Sequence, residues 1–463
     1  MIRRKHLYLD CTGTYFQGLN TGIQRVVRNL LKHAGSVGQD MGIDIIPVVS
    51  LHGRYFAIDG LDDPALRQRA LSYLEQGIRR RLYRLAKRRA GASIAREQQR
   101  RLPGQATTTG ARPGLSTLER LTELLSKGCH ARQVAFRDGD ILFLPDPNWG
   151  EDNWFPHRVA RARGTLVIPF IHDVIPLTYP DIYGPEQTRR FVTWLVKTAL
   201  LADGMVCNSR YCRDTLIDQL TRLRLPLRPD AIGVSLLGHD IVPDAGSAPR
   251  HAALQRTLQP GTTQFLCVGT LEPRKNLDTL LTGFDDYLAA GGTGQLTLIG
   301  RQGWLCDDIL SALTRHREYR QRLHWYDDVD DASLAWAYAQ ATAVIFPSVA
   351  EGFGLPLVEA LAQGTPVIAS DIPAFREIAN EHALFFPARA PEALASRMRA
   401  VEQAARSPAG SRVGDFRWPD WHQATRSIIG QVMALARQAP PCDGRARAGA
   451  PPAFLPHGPG GIL

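Results

Sequence analysis

Two glutamates and two adjacent cations are the residues whose types and spacing suggest chemistry most directly. Glu351 and Glu359 have seven residues between them, and Arg274 and Lys275 stand together shortly after an apolar strand pattern. Carboxylates accept hydrogen bonds from sugar hydroxyls, whereas cations beside helix N-termini stabilise phosphate groups. These four residues would suit a ligand that carries both sugar hydroxyls and a diphosphate.

The elements that must position the two glutamates lie between residues 343 and 370. AVIFPS predicts a buried strand, residues 351–354 a turn whose glycines allow positive φ and close approach of a ligand, and residues 355–363 a helix. Pro356 suits the first helical turn and Gly364 the C-terminal cap. The free N–H groups at the start of this helix would point to the end of the strand and hold an anion.

Structural explanations for the same residues stay open. Glu359 can lie on a solvated helix face, Glu351 can be a loop charge, and an Arg-Lys pair can occupy a solvated surface turn. The acidic run DDVDD (327–331) can bind a metal ion, but it precedes a helix pattern and can supply the N-cap and dipole charge of that helix. We therefore expect no metal site.

The first residues of the chain predict another strand, loop and helix. HLYLD (6–10) is a strand, CTGTYFQGLNTG a glycine-containing loop, and IQRVVRNLLKHA has apolar residues at helical spacing. Units of this kind open Rossmann-like domains. Further along, His172 and Asp173 end the strand pattern TLVIPFIHD at the edge where α/β proteins bind ligands, although such a histidine can also bond a neighbouring carbonyl. Ser209 and Arg210 stand at a predicted helix start that faces the same cleft.

Several ordered blocks resemble those of family-4 retaining glycosyltransferases, also called glycosyl transferases group 1. The blocks are FLCVGTLEPRKNLDTLLTGF (265–284), LTLIG (296–300), DDASLAWAYAQATAVIFPS (330–348) and EGFGLPLVEALAQGTPVIAS (351–370). The resemblance covers about half of the chain. It implies the GT-B fold, an α/β architecture in which two Rossmann-like domains face each other across a cleft, and transfer of a sugar from a nucleotide diphosphate donor.

The resemblance also implies roles for individual residues. Those expected at the reaction centre are His172, Arg274, Lys275 and Glu351. Those expected to bind the nucleotide sugar are Asn20, Gly22, Glu272, Gly352, Phe353, Gly354, Leu355 and Glu359, with Gly18 as a further loop candidate. Glu359 would hold the ribose, Glu351 the hydroxyls of the donor sugar, and His172 the same sugar from the other domain. Many family members have arginine where this chain has Thr270, so the diphosphate clamp would rely on Arg274 and Lys275.

The blocks DCTGTYFQGLNTGIQRVVRNL and VGTLEPRKN resemble bacterial mannosyltransferases of O-antigen or exopolysaccharide assembly. This resemblance implies hexosyl transfer, with GDP-mannose as the first expected donor, a glycan or polyprenyl-diphosphate-linked acceptor, and no cofactor or metal. Two other hypotheses stay open. One is a GT-B nucleotide-sugar epimerase or hydrolase, and the other is a noncatalytic protein that binds nucleic acid or a membrane.

The length of 463 residues suits two or three domains. We expect an N-terminal acceptor domain at 1–240 with a basic helical insertion at about 61–135, a donor domain at 255–410, a crossover helix at 411–438 and a disordered tail at 439–463. The interdomain hinge is expected near 238–258, where proline and charge are frequent. Asn276 is the expected N-cap of the helix that follows the Arg-Lys pair.

The formal charge of +10 is concentrated in one segment. Residues 67–101 contain 12 Lys/Arg and two acids, so the rest of the chain is balanced and nucleic acid is not an expected partner. The leucines of this segment predict an amphipathic helix that either packs on the domain or contacts an anionic membrane surface. Without a long apolar run or a signal-peptide pattern, we expect a cytoplasmic protein, with a peripheral position on the inner face of the plasma membrane as an alternative.

The seven scattered cysteines are expected to be mostly reduced core residues.

Overall fold

The computed structural model describes residues 6–17, 21–51, 53–61, 133–146, 154–226, 228–239, 251–406 and 416–439. In these residues the chain forms two β-sheets covered by helices, and its last described helix returns from the second sheet to the first. Strands buried on both faces explain apolar runs such as LVIPFI, which lack the alternation of a half-exposed strand.

The first sheet has seven described strands in the order β3-β2-β1-β4-β5-β6-β7. Their bounds are β1 His6–Asp10, β2 Asp44–Leu51, β3 Arg54–Ala57, β4 Ile141–Leu144, β5 Leu166–Ile171, β6 Met205–Cys207 and β7 Ile232–Val234. Neighbours pair in parallel except β2 and β3, which are antiparallel. The strand order reverses beside β1, so the carboxyl ends of β1, β4 and β5 open on one crevice.

The helices that cover the first sheet follow its strands in the expected alternation. They are α1 Thr12–Gln17, α2 Gly22–Met41, α3 Trp154–Ala162, α4 Ile175–Thr178, α5 Pro180–Tyr183, α6 Pro185–Leu201 and α7 Arg210–Arg222. At the start of α2, the side chain of Gln24 accepts a hydrogen bond from the Thr21 N–H at 3.0 Å. At the start of α7, Ser209 Oγ accepts one from the Cys212 N–H at 3.0 Å. Both caps lie next to the crevice and define where the helices begin.

The second sheet has six described strands in the order β10-β9-β8-β11-β12-β13, all parallel. The strands are β8 Gln264–Val268, β9 Gln295–Ile299, β10 Leu323–Tyr326, β11 Ala343–Phe346, β12 Val367–Ser370 and β13 Ala383–Phe386. The helices are α8 Ala252–Thr257, α9 Leu277–Ala289, α10 Asp307–Arg315, α11 Asp331–Gln340, α12 Leu355–Ala362, α13 Pro373–Ala379 and α14 Pro391–Ala405. The order reverses between β8 and β11, which places their carboxyl ends at a second crevice.

The last described helix, α15 (Trp421–Gln438), packs on α2 and on strands β6 and β7 of the first sheet. Asp420 begins it, because its carboxylate accepts a hydrogen bond from the Gln423 N–H at 2.7 Å. A Cβ at Gly238 would lie 2.7 Å from the backbone of Trp421, so glycine permits this close crossing. The chain therefore ties its C-terminal part to the first sheet.

Several local predictions agree with these elements. The predicted strand 6–10 is β1, and the predicted helix 355–363 is α12, with Pro356 in its first turn and Gly364 at a positive φ of 71° just beyond it. Asp330, in the acidic run, accepts a hydrogen bond from the Ser333 N–H at 2.8 Å and so caps α11. The described cysteines are free and buried, as predicted.

Residues 62–132 and 440–463 lie outside the described part of the chain. The basic segment 67–101, the insertion to which it belongs and the disordered tail therefore stay predictions, as do the roles of Gly18 and Asn20. Within the described ranges, no helix combines the length and the apolar character that crossing a lipid bilayer requires.

Substitution of Ile428 by alanine tests the packing of α15. Ile428 is fully buried in the core of the first sheet, so the loss of its side chain should lower the free energy of unfolding by about 2–5 kcal/mol. The measurement is chemical denaturation followed by circular dichroism. The control is Arg437→Ala, an exposed position on the same helix that should change stability by about 0.5 kcal/mol or less. Equal effects of the two variants would contradict the packing described for α15.

Candidate functional site

The predicted site residues come from the carboxyl ends of strands in both sheets. Glu272, Arg274 and Lys275 follow β8, and Glu351 follows β11, which is the neighbour of β8. His172 follows β5 of the first sheet. The two sheets turn these edges toward each other, and a Cβ at Gly352 would lie only 2.1 Å from the His172 carbonyl oxygen. The loops of the two crevices are therefore in direct contact.

Glu351 lies at the centre of a buried charge cluster. Its Oε2 is 2.5 Å from Arg274 Nη1, and its Oε1 is 2.6 Å from Lys275 Nζ and 2.9 Å from Ser348 Oγ, which donates to it. Burial alone would raise the pKa of Glu351, but the charges of Arg274 and Lys275 and these hydrogen bonds outweigh it and lower the pKa to about 2. Glu351 is therefore ionised at neutral pH and paired with both cations.

Arg274 is shared between two carboxylates. Its Nε lies 2.6 Å from Glu272 Oε1, on the opposite side from Glu351. Burial would lower the pKa of Arg274, but Glu351 and Glu272 raise it further above its ordinary value, so the guanidinium stays charged. The other oxygen of Glu272 accepts a hydrogen bond from Trp304 Nε1 at 2.8 Å. The two cations predicted to bind a diphosphate thus lie together, and both are paired with the protein's own carboxylates.

Residues of the first sheet close over this cluster. The ring of Tyr183 stacks on Trp304 at 4.7 Å between centroids, which joins the two halves of the molecule. Asp173 is buried next to Arg274; burial raises the pKa of its carboxyl group, and the charge of Arg274 opposes that rise. Asp173 Oδ1 also accepts a hydrogen bond from the Ile175 N–H at 3.1 Å. Asp173 therefore caps the loop that follows β5.

Glu359 has a partner that the sequence did not suggest. Its Oε1 lies 2.6 Å from Nη2 of Arg25, which belongs to α2 of the first sheet, and its Oε2 accepts a hydrogen bond from Tyr338 at 3.1 Å. The Glu359 side chain is only 3% exposed. The position predicted to hold a ribose is therefore occupied by an interdomain ion pair. Arg25 was missed because the helical pattern of α2 shows only that it is a polar position.

His172 is buried at the strand end and held in one orientation. Its Nε2 lies 2.8 Å from the Pro145 carbonyl oxygen, and its ring packs edge-on against Phe170. Burial lowers the pKa of His172 to about 4, although the hydrogen bond to Pro145 opposes this, so the ring is neutral at pH 7. A neutral imidazole that donates through Nε2 has its lone pair on Nδ1. The carbonyl-bonding alternative is thus observed, and it leaves the ring able to accept a second hydrogen bond.

The glycine turn before α12 has two distinct functions. Gly354 has a φ of 113°, which an L-residue with a side chain rarely adopts, and it directly precedes Leu355 at the start of the helix. Gly352 instead permits the close approach of the His172 backbone, and its carbonyl accepts a hydrogen bond from Ser209 at 2.8 Å. The expected close approach of a ligand at Gly352 is therefore, in this state, an approach of the other domain.

Three further predicted residues have local contacts in place of ligand contacts. Phe353 is buried and packs edge-on against Trp418. Gly22 is exposed at the first position of α2. Asn276 is the N-cap residue of α9, as predicted, but its side chain makes no capping hydrogen bond, because its Nδ2 donates to the Pro347 carbonyl at 2.9 Å; its backbone is left-handed. Asn276 thus anchors the end of β11 beside the cations.

A second polar network at the crevice of the first sheet was not predicted. Tyr55 donates a hydrogen bond to Asp10 Oδ2 at 2.9 Å, and its oxygen lies 2.7 Å from His157 Nδ1. Nearby, Asp146 accepts a hydrogen bond from the Thr14 N–H, and burial raises the pKa of Asp146 to about 6. These residues are far apart in sequence: β2 joins β1, which ends at Asp10, to β3, which carries Tyr55, and the parallel pairing of β1 with β4 brings Asp146 to the same edge.

Comparison with known proteins identifies the fold and then the family. Sucrose-phosphate synthase from Thermosynechococcus elongatus superposes with a TM-score of 0.52 over 94% of this chain and 97% of its own, at 18% identity. Together with the two facing parallel sheets, this likeness shows the GT-B fold, as predicted. The family model described as glycosyl transferases group 1 matches residues 254–409. Residues 254–409 therefore match a glycosyltransferase group 1 domain, as the sequence blocks predicted.

Two curated relatives share part of their length with this chain. The serotype-specific mannosyltransferase WbdA of Escherichia coli is 31% identical over 317 residues, which are 66% of this chain and 38% of WbdA. The O-antigen chain mannosyltransferase B of Escherichia coli is 28% identical over 265 residues, 55% of this chain and 64% of that protein. The alignments thus include less than two thirds of either relative.

Substitution of His172 by glutamine tests the buried neutral imidazole. Below pH 6.5, the ordinary pKa of histidine, the unfolded chain binds a proton that folded His172 takes up only near pH 4. The free energy of unfolding therefore falls as the pH decreases from 6.5 to 4. His172 accounts for roughly 3 kcal/mol of this fall. In His172→Gln the unfolding free energy should lose about that much of its pH dependence, measured by urea denaturation at several pH values. His422→Gln, at a partly exposed position, controls for loss of a histidine, and an unchanged profile in His172→Gln would contradict the assignment.

Proposed function

We propose that this protein is a retaining hexosyltransferase that transfers a sugar from a nucleoside diphosphate sugar to a glycan or lipid-linked sugar acceptor. The observation that carries the proposal is the cluster of Glu351, Arg274 and Lys275 between the two crevices of a GT-B fold. Two partly buried cations that directly precede α9 suit a diphosphate, and a released Glu351 suits sugar hydroxyls. The group 1 domain at 254–409 supports the same class of reaction.

The proposed reaction begins with an exchange of partners. The diphosphate takes Arg274 and Lys275, and the carboxylate of Glu351 is then free to accept hydrogen bonds from the donor sugar. Because Glu351 is ionised and buried, it accepts without first losing a proton. The cations then stabilise the charge that develops on the departing diphosphate oxygen, so the proposal assigns this task to protein side chains and not to a metal ion or another cofactor.

His172 is proposed to contact the sugar from the opposite domain. Its Nε2 is committed to the Pro145 carbonyl, so the lone pair on Nδ1 would accept a hydrogen bond from a sugar hydroxyl. The bond from the anomeric carbon to the diphosphate breaks, the acceptor oxygen bonds to that carbon on the same face, and the acceptor proton passes to the departing phosphate oxygen. A covalent sugar intermediate on Glu351 is not required, since its oxygens are engaged in hydrogen bonding.

Mannose is the proposed sugar, with GDP-mannose as the donor. The support is the similarity to WbdA and to O-antigen chain mannosyltransferase B, both named as mannosyltransferases. Those relatives also favour an acceptor in the synthesis of a bacterial surface polysaccharide or exopolysaccharide. A polyprenyl-diphosphate-linked acceptor would bring the enzyme to a membrane, where the basic segment 67–101 is proposed to contact anionic lipid.

An epimerase or hydrolase on the same fold is the second candidate, since it would use the same donor cluster without an acceptor. Product analysis separates the two reactions. With GDP-mannose alone, a hydrolase releases free mannose and an epimerase changes the sugar of the donor, whereas a transferase needs an acceptor for full turnover. Equal rates with and without glycan acceptor would contradict the transferase.

Substitution of Lys275 by alanine tests the diphosphate clamp. The variant should reduce turnover by about two to three orders of magnitude, because one charge-assisted contact to the leaving group is lost. Turnover is measured as GDP release from GDP-mannose in the presence of acceptor. Arg315→Ala, an exposed cation on α10, is the matched control and should keep wild-type turnover. Wild-type turnover in Lys275→Ala would remove Lys275 from the proposed mechanism.

Substitution of Glu359 by alanine tests the ribose assignment. The variant should bind GDP about tenfold or more weakly than the wild-type protein, since a carboxylate that accepts two ribose hydroxyls is lost. Isothermal titration calorimetry with GDP, UDP and ADP measures the affinity and identifies the preferred base. Unchanged affinity for every nucleotide would show that Glu359 does not hold the ribose.

A further inference from the structure

Arg25 and Glu359 form a buried contact between the two domains at the position proposed for the ribose. Arg25 lies in the first turn of α2 in the first domain, and Glu359 lies on α12 in the second. Their charged atoms are 2.6 Å apart, with the side chains 24% and 3% exposed. The pair is thus a specific contact and unlike the solvated ion pairs of the surface.

Both oxygens of Glu359 are engaged in this state. Oε1 pairs with Arg25, and Oε2 accepts the hydroxyl of Tyr338, which is itself fully buried on α11. Tyr338 belongs to the same domain as Glu359 and can stay when a ligand enters. Arg25 belongs to the opposite domain, and its guanidinium lies against Oε1 of a carboxylate that is only 3% exposed. A ribose therefore reaches Glu359 only when Arg25 withdraws.

Arg25 also has an alternative partner nearby. Burial would lower the pKa of Arg25, but the charges of Glu359 and Asp331 and the hydrogen bond to Glu359 raise it, so the guanidinium keeps its charge in this position. Asp331 lies in the first turn of α11, on the same domain as Glu359. When Arg25 leaves Glu359, it can stay beside an acidic residue or move into solvent through its exposed part. The exchange therefore does not leave a buried charge without a partner or solvent.

We propose that Arg25 is a latch that occupies the ribose subsite of the empty protein, so that a nucleoside diphosphate binds only as Arg25 leaves Glu359. The proposal rests on the proposed function, because it takes Glu359 as the ribose ligand. Arg25 then competes with the nucleotide for Glu359. Because the Arg25–Glu359 pair joins the two domains, donor binding also breaks a contact between them. Because ribose is common to the nucleotides, the competition applies to GDP, UDP and ADP alike.

The opposite role for Arg25 is a positioning residue that holds Glu359 ready for the ribose. The two roles predict changes of opposite sign in nucleotide affinity. A competitor lowers the apparent nucleotide affinity, because only the molecules in which the competitor is not bound can take up the nucleotide. Removal of the competitor therefore restores the full affinity. Removal of a positioning residue weakens binding, since the carboxylate loses its orientation.

The test is calorimetric titration of GDP into the wild-type protein and into Arg25→Ala. The latch predicts that Arg25→Ala binds GDP about tenfold more tightly and associates with it faster in stopped-flow measurements. Unchanged or weaker binding in Arg25→Ala would overturn the latch. Arg25→Gln keeps most of the side-chain volume without the charge and should give the same direction of change if the alanine variant folds poorly.

Two further variants make the test specific. In a Glu359→Ala background, Arg25→Ala should no longer tighten GDP binding, because the two residues compete only through Glu359; the same tightening there would overturn direct competition. Arg426→Ala removes an exposed ion pair between α15 and Asp40 on α2, and it should leave GDP affinity unchanged. If Arg426→Ala also bound GDP more tightly, the effect of Arg25→Ala would come from a weaker attachment of α2 and not from competition at Glu359.

The failure of the latch and the failure of the proposed function give different results. If wild-type protein binds GDP and Glu359→Ala weakens that binding, but Arg25→Ala does not strengthen it, the latch is wrong and the donor site stands. If neither the wild-type protein nor Arg25→Ala binds any nucleotide, the proposed function fails together with the latch.

Discussion

The structure depends on keeping Glu351 charged in a buried position between two domains. An unpaired carboxylate there would cost several kcal/mol, and the fold supplies two cations and a hydroxyl to avoid this cost. Arg274 and Lys275 reach Glu351 because β8 and β11 are parallel neighbours whose carboxyl ends meet. Asn276 then fixes the loop after β11 beside the cations. The ion pairs and hydrogen bonds of this cluster hold the loops after β8 and β11 in their observed conformation.

The charged groups of the cleft pair with one another, and this property connects stability with function. Arg274 and Lys275 are held by Glu351, and Glu359 is held by Arg25 of the other domain. Each pair contains one group suited to a nucleotide sugar and one partner that the ligand must replace. Under the proposed function, donor binding is an exchange of partners and not the filling of a preformed positive pocket. The free energy of donor binding is the difference between two sets of charge-assisted contacts.

Local sequence patterns were sufficient for much of the fold but not for the choice of polar partners. Apolar runs and glycine turns identified β1 and α12 nearly residue by residue, because strand and helix periodicity are properties of short segments. The pairing of Arg25 with Glu359 joins residues more than 300 positions apart and depends on how two domains meet. The same reason explains why the sequence did not show that Asn276 Nδ2 binds the Pro347 carbonyl, and why Gly352 was expected to contact a ligand. The family resemblance identified the glutamates and cations, but it did not indicate which partner each has in the empty state.

The most direct measurement for this account is a crystal structure of the protein with GDP bound. The account predicts the diphosphate within hydrogen-bond distance of Arg274 and Lys275, the ribose on Glu359, and Glu351 released toward the donor sugar position. A structure in which GDP lies elsewhere, with the Glu351 and Glu359 ion pairs intact, would contradict the central claim that these pairs exchange with the donor.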